Sequence, residues 1–403
     1  MRRLPVPLLF SFLLLFIAGG ADWLQFRGPN GSGISEDSGV PLTWTEKENV
    51  AWSAELPGRG LSSPIIVGEK VIVTASSGPK QDRLHVICFD AGSGKKLWDR
   101  QTWTTGRTMT HPKTAVASST PVSDGQTVFA TYSTNDVAAY DLEGNLLWYR
   151  GLTHDYPNAS NSLGMASSPV VLGNTLVLQL ENDSDSFAIG LDTATGLNRW
   201  KIDRPVRANW TSPAILRGKS SKDDLVLLQS SASLSAHEPS TGRVMWTFAE
   251  GCSTIPSSAV SGDVVFVPSN GLVALRHVPG SQAPEKLWEE NTLGPSTPSP
   301  LAYKGLVYVV NKAGVLKAAD VKTGEIRWQL RVKGPYSGTP VIADGHMYLI
   351  NENGEGQVVK LGDEKGEEVG GGKLTDEPIL CTPSIGNGAL YVRSDGHLWK
   401  ISK

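Results

Sequence analysis

The residue types that most often carry chemistry are present, but their spacing predicts no catalytic or metal centre. The seven histidines show no metal-ligand spacing. No Ser-His-Asp arrangement or phosphate-cradling glycine loop can be argued from the sequence. The acidic run at 181–185 (ENDSD) offers oxygen ligands, yet it lacks the glycine and the distal glutamate of a calcium loop. We therefore predict no catalytic residue and no metal site.

A second set of residues has the chemistry to bind a ligand, through cationic or polar donors and through aromatic rings. These residues lie in segments that vary along the chain, and the longest of these segments runs from 101 to 117. Several cations in one region favour an anionic ligand or an acidic peptide. The alternative is a solvated rim of surface loops. The predicted ligand-binding residues are Arg59, Arg107, His111, Lys113, Asn161, Arg207, Trp210 and Tyr336.

The variable segments connect copies of one repeat, which returns about every 40 to 57 residues. Each copy reads Ser/Thr-Pro, an apolar run, a turn, a second apolar run, and then Asp-x-x-x-Gly-x-x-x-Trp. Repeats of this length, built from short strands and turns, predict an all-β propeller with one four-stranded blade per repeat. The repeat positions are Pro64, Pro121, Pro169, Pro213, Ser258, Pro300, Pro340 and Pro383.

The tryptophans of the repeat have a packing explanation. An indole on the outer strand of a blade can lie against the neighbouring blade and bury a large apolar area. The Asp and Gly of the preceding turn are typical of a tight hairpin, so we interpret them as structural. The predicted docking residues are Trp52, Trp98, Trp148, Trp200, Trp246, Trp288 and Trp328.

The repeat count predicts eight blades, the last of which is split between the two ends of the chain. Residues 383–403 supply three strands, and the strand at 49–56, with Trp52, supplies the fourth and closes the ring. Blade seven is predicted to be the weakest, because Gly370 stands where a tryptophan is expected.

Hydroxylic or small residues precede the first strand of each blade, at the predicted funnel mouth. We interpret them mainly as partners of backbone groups where eight strands converge, and ligand contact is the alternative. They are Ser62–Ser63, Ser118–Ser119, Ser167–Ser168, Thr211–Ser212, Ser257, Ser296–Thr297, Gly338–Thr339 and Thr382.

The first 21 residues have the pattern of a secretory signal peptide. Arg2 and Arg3 precede an apolar run at 8–18, and small residues follow at 18–21. The predicted organisation is a signal peptide at 1–21, an N-terminal extension at 22–48 and the propeller at 49–403. We expect export to the periplasm or the medium and no transmembrane segment.

The formal charge of −3 argues against a nucleic-acid partner. The three cysteines are far apart and outside any CxxC, so we expect buried thiols.

The repeats resemble those of the pyrroloquinoline quinone (PQQ)-like propeller family, whose pattern is Ala-x-Asp-x-x-Thr-Gly-x-x-x-Trp. The stretch AADVKTGEIRW at 318–328 carries that pattern, and the resemblance extends over 50–403. The opening DWLQFRGPNG at 22–31 is similar to the mature start of a group of exported bacterial PQQ-like proteins.

The resemblance implies two functions. One is a quinoprotein dehydrogenase that uses PQQ and Ca²⁺ to oxidise an alcohol or a sugar. The other is a non-enzymatic scaffold, as in the outer-membrane protein assembly machinery. Many of the enzymes carry an adjacent Cys-Cys pair, and some carry a CxxCH haem motif; this chain has neither. We therefore expect a monomeric scaffold without a cofactor, which engages an envelope protein or a polar small ligand at the funnel mouth. The dehydrogenase is the alternative.

Overall fold

The predicted eight-bladed β-propeller is confirmed. The structure, a computed structural model, describes residues 22–159 and 163–403, and its strands form eight separate sheets. The predicted signal peptide and Asn161 lie outside the described residues. Helix is limited to α1 (Leu152–Asp155) and to two 3-10 turns at Pro29–Gly31 and Asn291–Leu293 within the described part of the chain.

The strands of the N-terminal extension and of the first four blades are β1 (Ile34–Ser35), β2 (Thr43–Trp44), β3 (Val50–Glu55), β4 (Ile65–Val67), β5 (Lys70–Ser77), β6 (Arg83–Asp90), β7 (Lys96–Trp103), β8 (Val122–Ser123), β9 (Thr127–Thr131), β10 (Asp136–Asp141), β11 (Leu146–Gly151), β12 (Val170–Leu172), β13 (Thr175–Leu180), β14 (Phe187–Asp192), β15 (Asn198–Asp203), β16 (Ala214–Leu216), β17 (Leu225–Gln229), β18 (Leu234–His237) and β19 (Val244–Phe248).

The strands of the last four blades are β20 (Ala259–Ser261), β21 (Val264–Ser269), β22 (Gly271–Arg276), β23 (Glu285–Glu290), β24 (Leu301–Tyr303), β25 (Leu306–Val310), β26 (Val315–Asp320), β27 (Ile326–Arg331), β28 (Val341–Ala343), β29 (His346–Ile350), β30 (Glu355–Leu361), β31 (Gly366–Lys373), β32 (Ser384–Gly386), β33 (Ala389–Arg393) and β34 (His397–Ile401). Blades one to seven begin at β4, β8, β12, β16, β20, β24 and β28. Blade eight has the order β3-β34-β33-β32.

Burial along a blade explains why its strands differ in sequence. The second strand of blade three, β13, is buried at every residue, because both of its faces contact neighbouring blades. Such a strand reads as a continuous apolar run. In the outer strand β15 only Trp200 is buried. Polar residues therefore flank the tryptophan in the sequence.

A β-bulge precedes each of the seven predicted docking tryptophans. In blade six, Trp328 is opposite Ala318 and Ile326 is opposite Ala319, so Arg327 is the unpaired residue of the bulge. The same one-residue shift occurs in all eight blades. A bulge redirects the side chains that follow it. Here it orients the indole of one blade toward the next.

Each indole N–H donates a hydrogen bond to the next blade. Six of the seven donate to a backbone carbonyl in the turn of the neighbouring outer hairpin, at 2.8–3.1 Å. Trp246 instead donates to Nδ1 of His277, at 3.0 Å. The ring of Trp200 lies over Gly242, where an added Cβ would come within 2.6 Å of the indole and where φ is +71°. The turn glycine is therefore required both for its φ and for the close approach.

Blade seven differs from the others because its neighbour has no outer hairpin. In blade eight the two outer strands, β34 and β3, come from opposite ends of the chain, so no turn is present to receive an indole. The chain instead adds β2 in parallel to β31. A Cβ at Gly370 would come within 2.1 Å of the Leu42 carbonyl oxygen. The glycines at 370–372 thus admit β2. The strands β1 and β2 together make this sheet six-stranded, which was not predicted from the sequence.

The N-terminal extension crosses the end of the propeller axis and contacts several blades. Trp23 pairs with Ile66 of blade one, and β1 pairs in parallel with β28 of blade seven. Between them, the buried guanidinium of Arg27 donates to the carbonyls of Ser258, at 3.1 Å, and Pro300, at 2.7 Å. Burial lowers the pKa of Arg27 to about 10. The extension is therefore an integral part of the propeller core.

Candidate functional site: the axial cavity and its mouth

A cavity of about 410 Å³ lies on the propeller axis. Phe26 of the N-terminal extension lines it, and the extension crosses the axis at that end, so we take Phe26 as the floor. The variable loops surround the opposite end, which we call the mouth. A volume of this size is typical of small-molecule sites.

Eight hydroxyl residues line this cavity, one from each blade, and we call them the hydroxyl ring. Each precedes the first strand of its blade. They are Ser63, Thr120, Ser168, Ser212, Ser257, Ser299, Thr339 and Thr382. Six of these positions were predicted from the sequence. At the other two, Thr120 and Ser299 replace the predicted Ser118–Ser119 and Ser296–Thr297, because the ring residue directly precedes the repeat proline.

The ring is held together by hydrogen bonds from blade to blade. The backbone N–H of Ser63 donates to Thr120 Oγ1 at 2.9 Å, and six further bonds of 2.9–3.0 Å continue round to Thr382. These hydroxyls therefore satisfy buried backbone groups, as the main interpretation of the sequence predicted. The ring is open between Thr382 and Ser63: within the described residues the buried Ser63 Oγ has no hydrogen-bond partner.

Apolar side chains form part of the remaining wall of the cavity. Trp210 lies there, with its indole N–H donated to the carbonyl of Gly164 at 2.8 Å. Leu163 and Ile255 also line the cavity, and they are 40% and 50% exposed. The cavity therefore combines hydroxyl groups with an apolar surface that remains accessible at the mouth.

An ion pair spans the mouth. Lys113, from the loop between blades one and two, donates to Glu352 of blade seven at 2.8 Å. Ser337 donates to the same carboxylate at 2.8 Å. His111 lies in the same loop and also lines the cavity. Lys113 is largely exposed, so this pair contributes little to stability, but it positions the loop over the cavity.

The other predicted ligand-binding residues occupy different settings. Arg59 is held by Asp395 at 2.9 Å and by the Pro112 carbonyl at 3.0 Å. Tyr336 is buried and donates its hydroxyl to Gln357 at 2.7 Å, and burial raises its pKa above the ordinary range. Tyr336 is therefore held by packing and a hydrogen bond within the protein, and it also lines the groove described next, so its role in ligand binding stays a prediction.

Arg107 and Arg207 are exposed, and within the described residues neither forms an ion pair. A groove of about 860 Å³ continues from the cavity across the loops of blades four to seven. The cavity and this groove share Lys113, Ile255, Thr297 and Glu352, so the mouth and the groove form one concave surface.

The acidic run at 181–185 has a structural role that the sequence did not indicate. Glu181 is buried, and its carboxylate accepts from Arg204 Nε at 2.6 Å and from Asn209 Nδ2 at 2.9 Å. Burial is the largest influence on the pKa of Glu181 and raises it, against the opposing effect of Arg204. Arg204 also donates to Ser235 and to the Leu228 carbonyl. The network therefore joins blades three and four.

The cavity does not fit a calcium ion. The carboxylate that lines it, Glu352, is already engaged by Lys113 and Ser337. Within the described residues, no group of three or more His, Cys, Asp or Glu residues could hold a metal. Calcium prefers six to eight oxygen ligands. We therefore derive no chemistry through PQQ and Ca²⁺.

The three cysteines are free and buried, as predicted. Cys381 lines the cavity, and its Sγ donates to the Arg393 carbonyl at 3.2 Å. Burial raises the pKa of Cys381 to about 11, so the thiol is neutral and a poor nucleophile at ordinary pH.

In the part of the chain that the structure describes, no helix has the length and apolar character to cross a membrane.

The sequence matches the model of one protein family, described as "Outer membrane protein assembly factor BamB", over residues 37–229, 230–337 and 281–370. No curated protein matches the sequence. Among solved structures, BamB from Moraxella catarrhalis is similar with a TM-score of 0.61 at 15% identity, covering 87% of this chain and 96% of that one.

Oxidoreductases of the same fold are also similar. A europium-containing methanol dehydrogenase has a TM-score of 0.66 at 12% identity, covering 93% of this chain and 90% of that one. The quinohemoprotein alcohol dehydrogenase from Comamonas testosteroni has a TM-score of 0.62 at 14% identity, covering 94% and 80%. At such identities the likeness to these structures establishes the fold alone.

Proposed function

Because this chain belongs to the PQQ-like repeat family described as outer membrane protein assembly factor BamB, we propose that it is an exported binding propeller. In this proposal the protein has no catalytic activity of its own. It engages an envelope protein or a polar ligand at the mouth of the axial cavity. The family match and the signal-peptide pattern support export, and the concave mouth supports binding.

One observation carries the proposal: the concave mouth has accessible apolar groups, and the loops that supply its residues also carry exposed cations. Leu163 and Ile255 supply exposed apolar area, while Arg107, in the loop of His111, and Arg207, in the loop of Trp210, form no ion pair within the described residues. Binding surfaces typically unite an apolar centre with a polar rim. The lining of the cavity does not suit a calcium ion, and this supports a binding function over quinone-dependent oxidation.

The test is capture of envelope proteins by the purified protein before and after rim charge is removed. We expect the double variant Arg107→Ala/Arg207→Ala to lose most of the capture seen with the wild type. The reason is that rim cations steer and orient a complementary partner. The same change should make the remaining capture less sensitive to salt. The melting temperature should not change, since both side chains are exposed.

The matched control removes two cations from turns at the other end of the strands, in Lys95→Ala/Lys322→Ala. Both lysines are exposed and lie in outer-hairpin turns. This control should capture as well as the wild type. Equal losses in the two double variants would mean a nonspecific charge effect, and unchanged capture by the rim variant would remove the mouth as the binding surface.

A further inference from the structure

Three side chains on neighbouring strands of blade one form a chain of hydrogen bonds. Ser77 ends β5, His85 lies in β6 and Asp99 lies in β7. Ser77 Oγ is 2.7 Å from His85 Nε2, and His85 Nδ1 is 3.0 Å from the carboxylate of Asp99. These are the order and the distances of a nucleophilic serine, its base and the carboxylate that orients the base. The arrangement depends on how the three strands pair, so the spacing in the sequence did not reveal it.

The carboxylate determines where the hydrogens of this chain lie. A carboxylate only accepts hydrogen bonds, so Nδ1 of His85 carries the ring hydrogen and donates it to Asp99. In the neutral ring Nε2 is then an acceptor, and Ser77 donates its hydroxyl to it. His85 is buried, and the Tyr132 hydroxyl donates to its backbone carbonyl at 2.8 Å. The imidazole is therefore held in the orientation in which it can take the proton of Ser77.

The serine lies at a part of the blade that is open to solvent. Ser77 is partly exposed, and the turn that follows it, at 78–80, is exposed. Ser77 is opposite Arg83 in the sheet, and Arg83 is opposite Trp103, so the three residues form one row on the same face. Arg83 is exposed, Trp103 is 63% exposed, and the guanidinium carbon lies 5.1 Å from the centre of the indole. This row offers an apolar ring and a positive charge to an aromatic or anionic group beside the serine.

We propose that Ser77 is an acylation site for activated aryl esters, with His85 as its general base and Asp99 as the residue that positions His85. Ser77 Oγ forms a bond to the carbonyl carbon of the ester, and its proton passes to His85 Nε2. The bond from that carbon to the aryl oxygen breaks, and the leaving group departs as a phenolate. The acyl group stays on Ser77, and His85 then releases its proton to solvent.

This modification site goes beyond the proposed binding function, because Ser77, His85 and Asp99 line neither the axial cavity nor the groove. Efficient turnover also needs hydrogen-bond donors that are preorganised for the oxyanion. Within the described residues the one side-chain hydrogen bond of Ser77 is the bond to His85. We therefore infer a single acylation rather than hydrolytic turnover.

The test is incubation of the purified protein with p-nitrophenyl acetate at neutral pH, followed by mass spectrometry of its peptides. We expect acetylation of Ser77, because the histidine activates its oxygen. The matched control within the same protein is Ser93, an exposed serine whose hydroxyl donates to the Asp90 carboxylate at 2.6 Å without a histidine. Ser93 should stay unmodified, and Ser93→Ala should leave acetylation of Ser77 unchanged.

Variants of the base and of the positioning residue separate activation from simple exposure. His85→Gln should slow acetylation of Ser77 about a hundredfold, within the range typical of a general base. Asp99→Asn should also slow it, and Asp99→Glu, which keeps a carboxylate, should recover part of the rate. Melting temperatures show that each variant is folded, and Asp99→Asn replaces His85→Gln in the comparison if the latter does not fold. No acetylation of Ser77, equal acetylation of Ser77 and Ser93, or the wild-type rate in the folded variants of His85 and Asp99 would overturn the inference.

Discussion

At the residue scale, hydroxyl side chains next to the axis, one from each blade, link neighbouring blades by hydrogen bonds. Because the repeat places a Ser or Thr directly before the proline, each ring residue can accept the N–H of the preceding ring residue. The sequence pattern predicted this chemistry correctly at most positions. The pattern could not predict that the hydrogen bond between Thr382 and Ser63 is missing. That bond depends on how the first and last blades meet, and this junction does not occur between successive repeats in the chain.

The outer-strand tryptophans make a residue-scale prediction about stability. Trp200 is buried and donates to the Pro239 carbonyl at 2.8 Å. Trp200→Ala should lower the free energy of unfolding by about 3–5 kcal/mol, the usual cost of truncating a large buried aromatic side chain. The measurement is urea unfolding followed by circular dichroism.

The matched control is Trp103→Ala in the outer strand β7, where the indole is 63% exposed. It should cost less than about 1 kcal/mol, as exposed substitutions generally do. If Trp200→Ala and Trp103→Ala cost the same, the indole of Trp200 does not hold blades three and four together.

A buried histidine predicts how stability depends on pH. His237 is buried, and this burial lowers its pKa to about 4, against the opposing effect of the Gly242 carbonyl. In the unfolded chain the ordinary value is about 6.5. Between these values the unfolded state binds a proton that the folded state does not. The stability present above pH 6.5 is therefore lost as pH falls towards 4, by up to about 3 kcal/mol.

The measurement compares the wild type with His237→Gln in urea unfolding at pH 7.5 and pH 4.5. The wild type should be the more stable protein at pH 7.5, and its advantage should shrink by about 2–3 kcal/mol at pH 4.5. Parallel pH profiles of the two proteins would show that His237 does not titrate as its burial requires.

At the element scale, the repeat offsets predicted the strands, but the sequence did not predict the elements that occur only once. The bulge before each tryptophan, for example the one at Arg327, leaves no composition signal, because residues of many types occupy it. The strands β1 and β2 are two residues long, too short for periodicity to reveal. Lys113 and Glu352 are 239 residues apart, so their pairing across the mouth was equally invisible in the sequence.

The N-terminal strands make the element-scale prediction. Deletion of residues 22–56 removes β1, β2 and β3, and it exposes the edge of β34. It also removes Phe26 and Arg27 from the axis. An unpaired edge strand templates association, so the truncated protein should aggregate or melt at a markedly lower temperature. The measurement is light scattering together with a thermal melt.

A truncated protein that stays monomeric with an unchanged melting temperature would contradict the role of these strands. A separate deletion of Lys403, which is exposed at the chain end, serves as the control. That change should leave both the oligomeric state and the melting temperature as they are in the full chain.

At the scale of the whole molecule, the propeller follows from the repeat, while function depends on what fills the axis. Related folds host both an assembly factor and dehydrogenases. In this chain the N-terminal extension crosses one end of the axis, the hydroxyl ring lines the wall, and the pair of Lys113 with Glu352 spans the mouth. Among the described residues, the one carboxylate that lines this cavity, Glu352, is already paired with Lys113.

The most direct test of the binding account is a dye-linked oxidation assay of the purified protein, incubated with PQQ and Ca²⁺, over a panel of alcohols and sugars. A quinoprotein dehydrogenase of the same fold serves as the positive control. We expect no substrate-dependent dye reduction above the protein-free background. Dye reduction that requires PQQ, Ca²⁺ and substrate together, and that scales with the amount of protein, would contradict it.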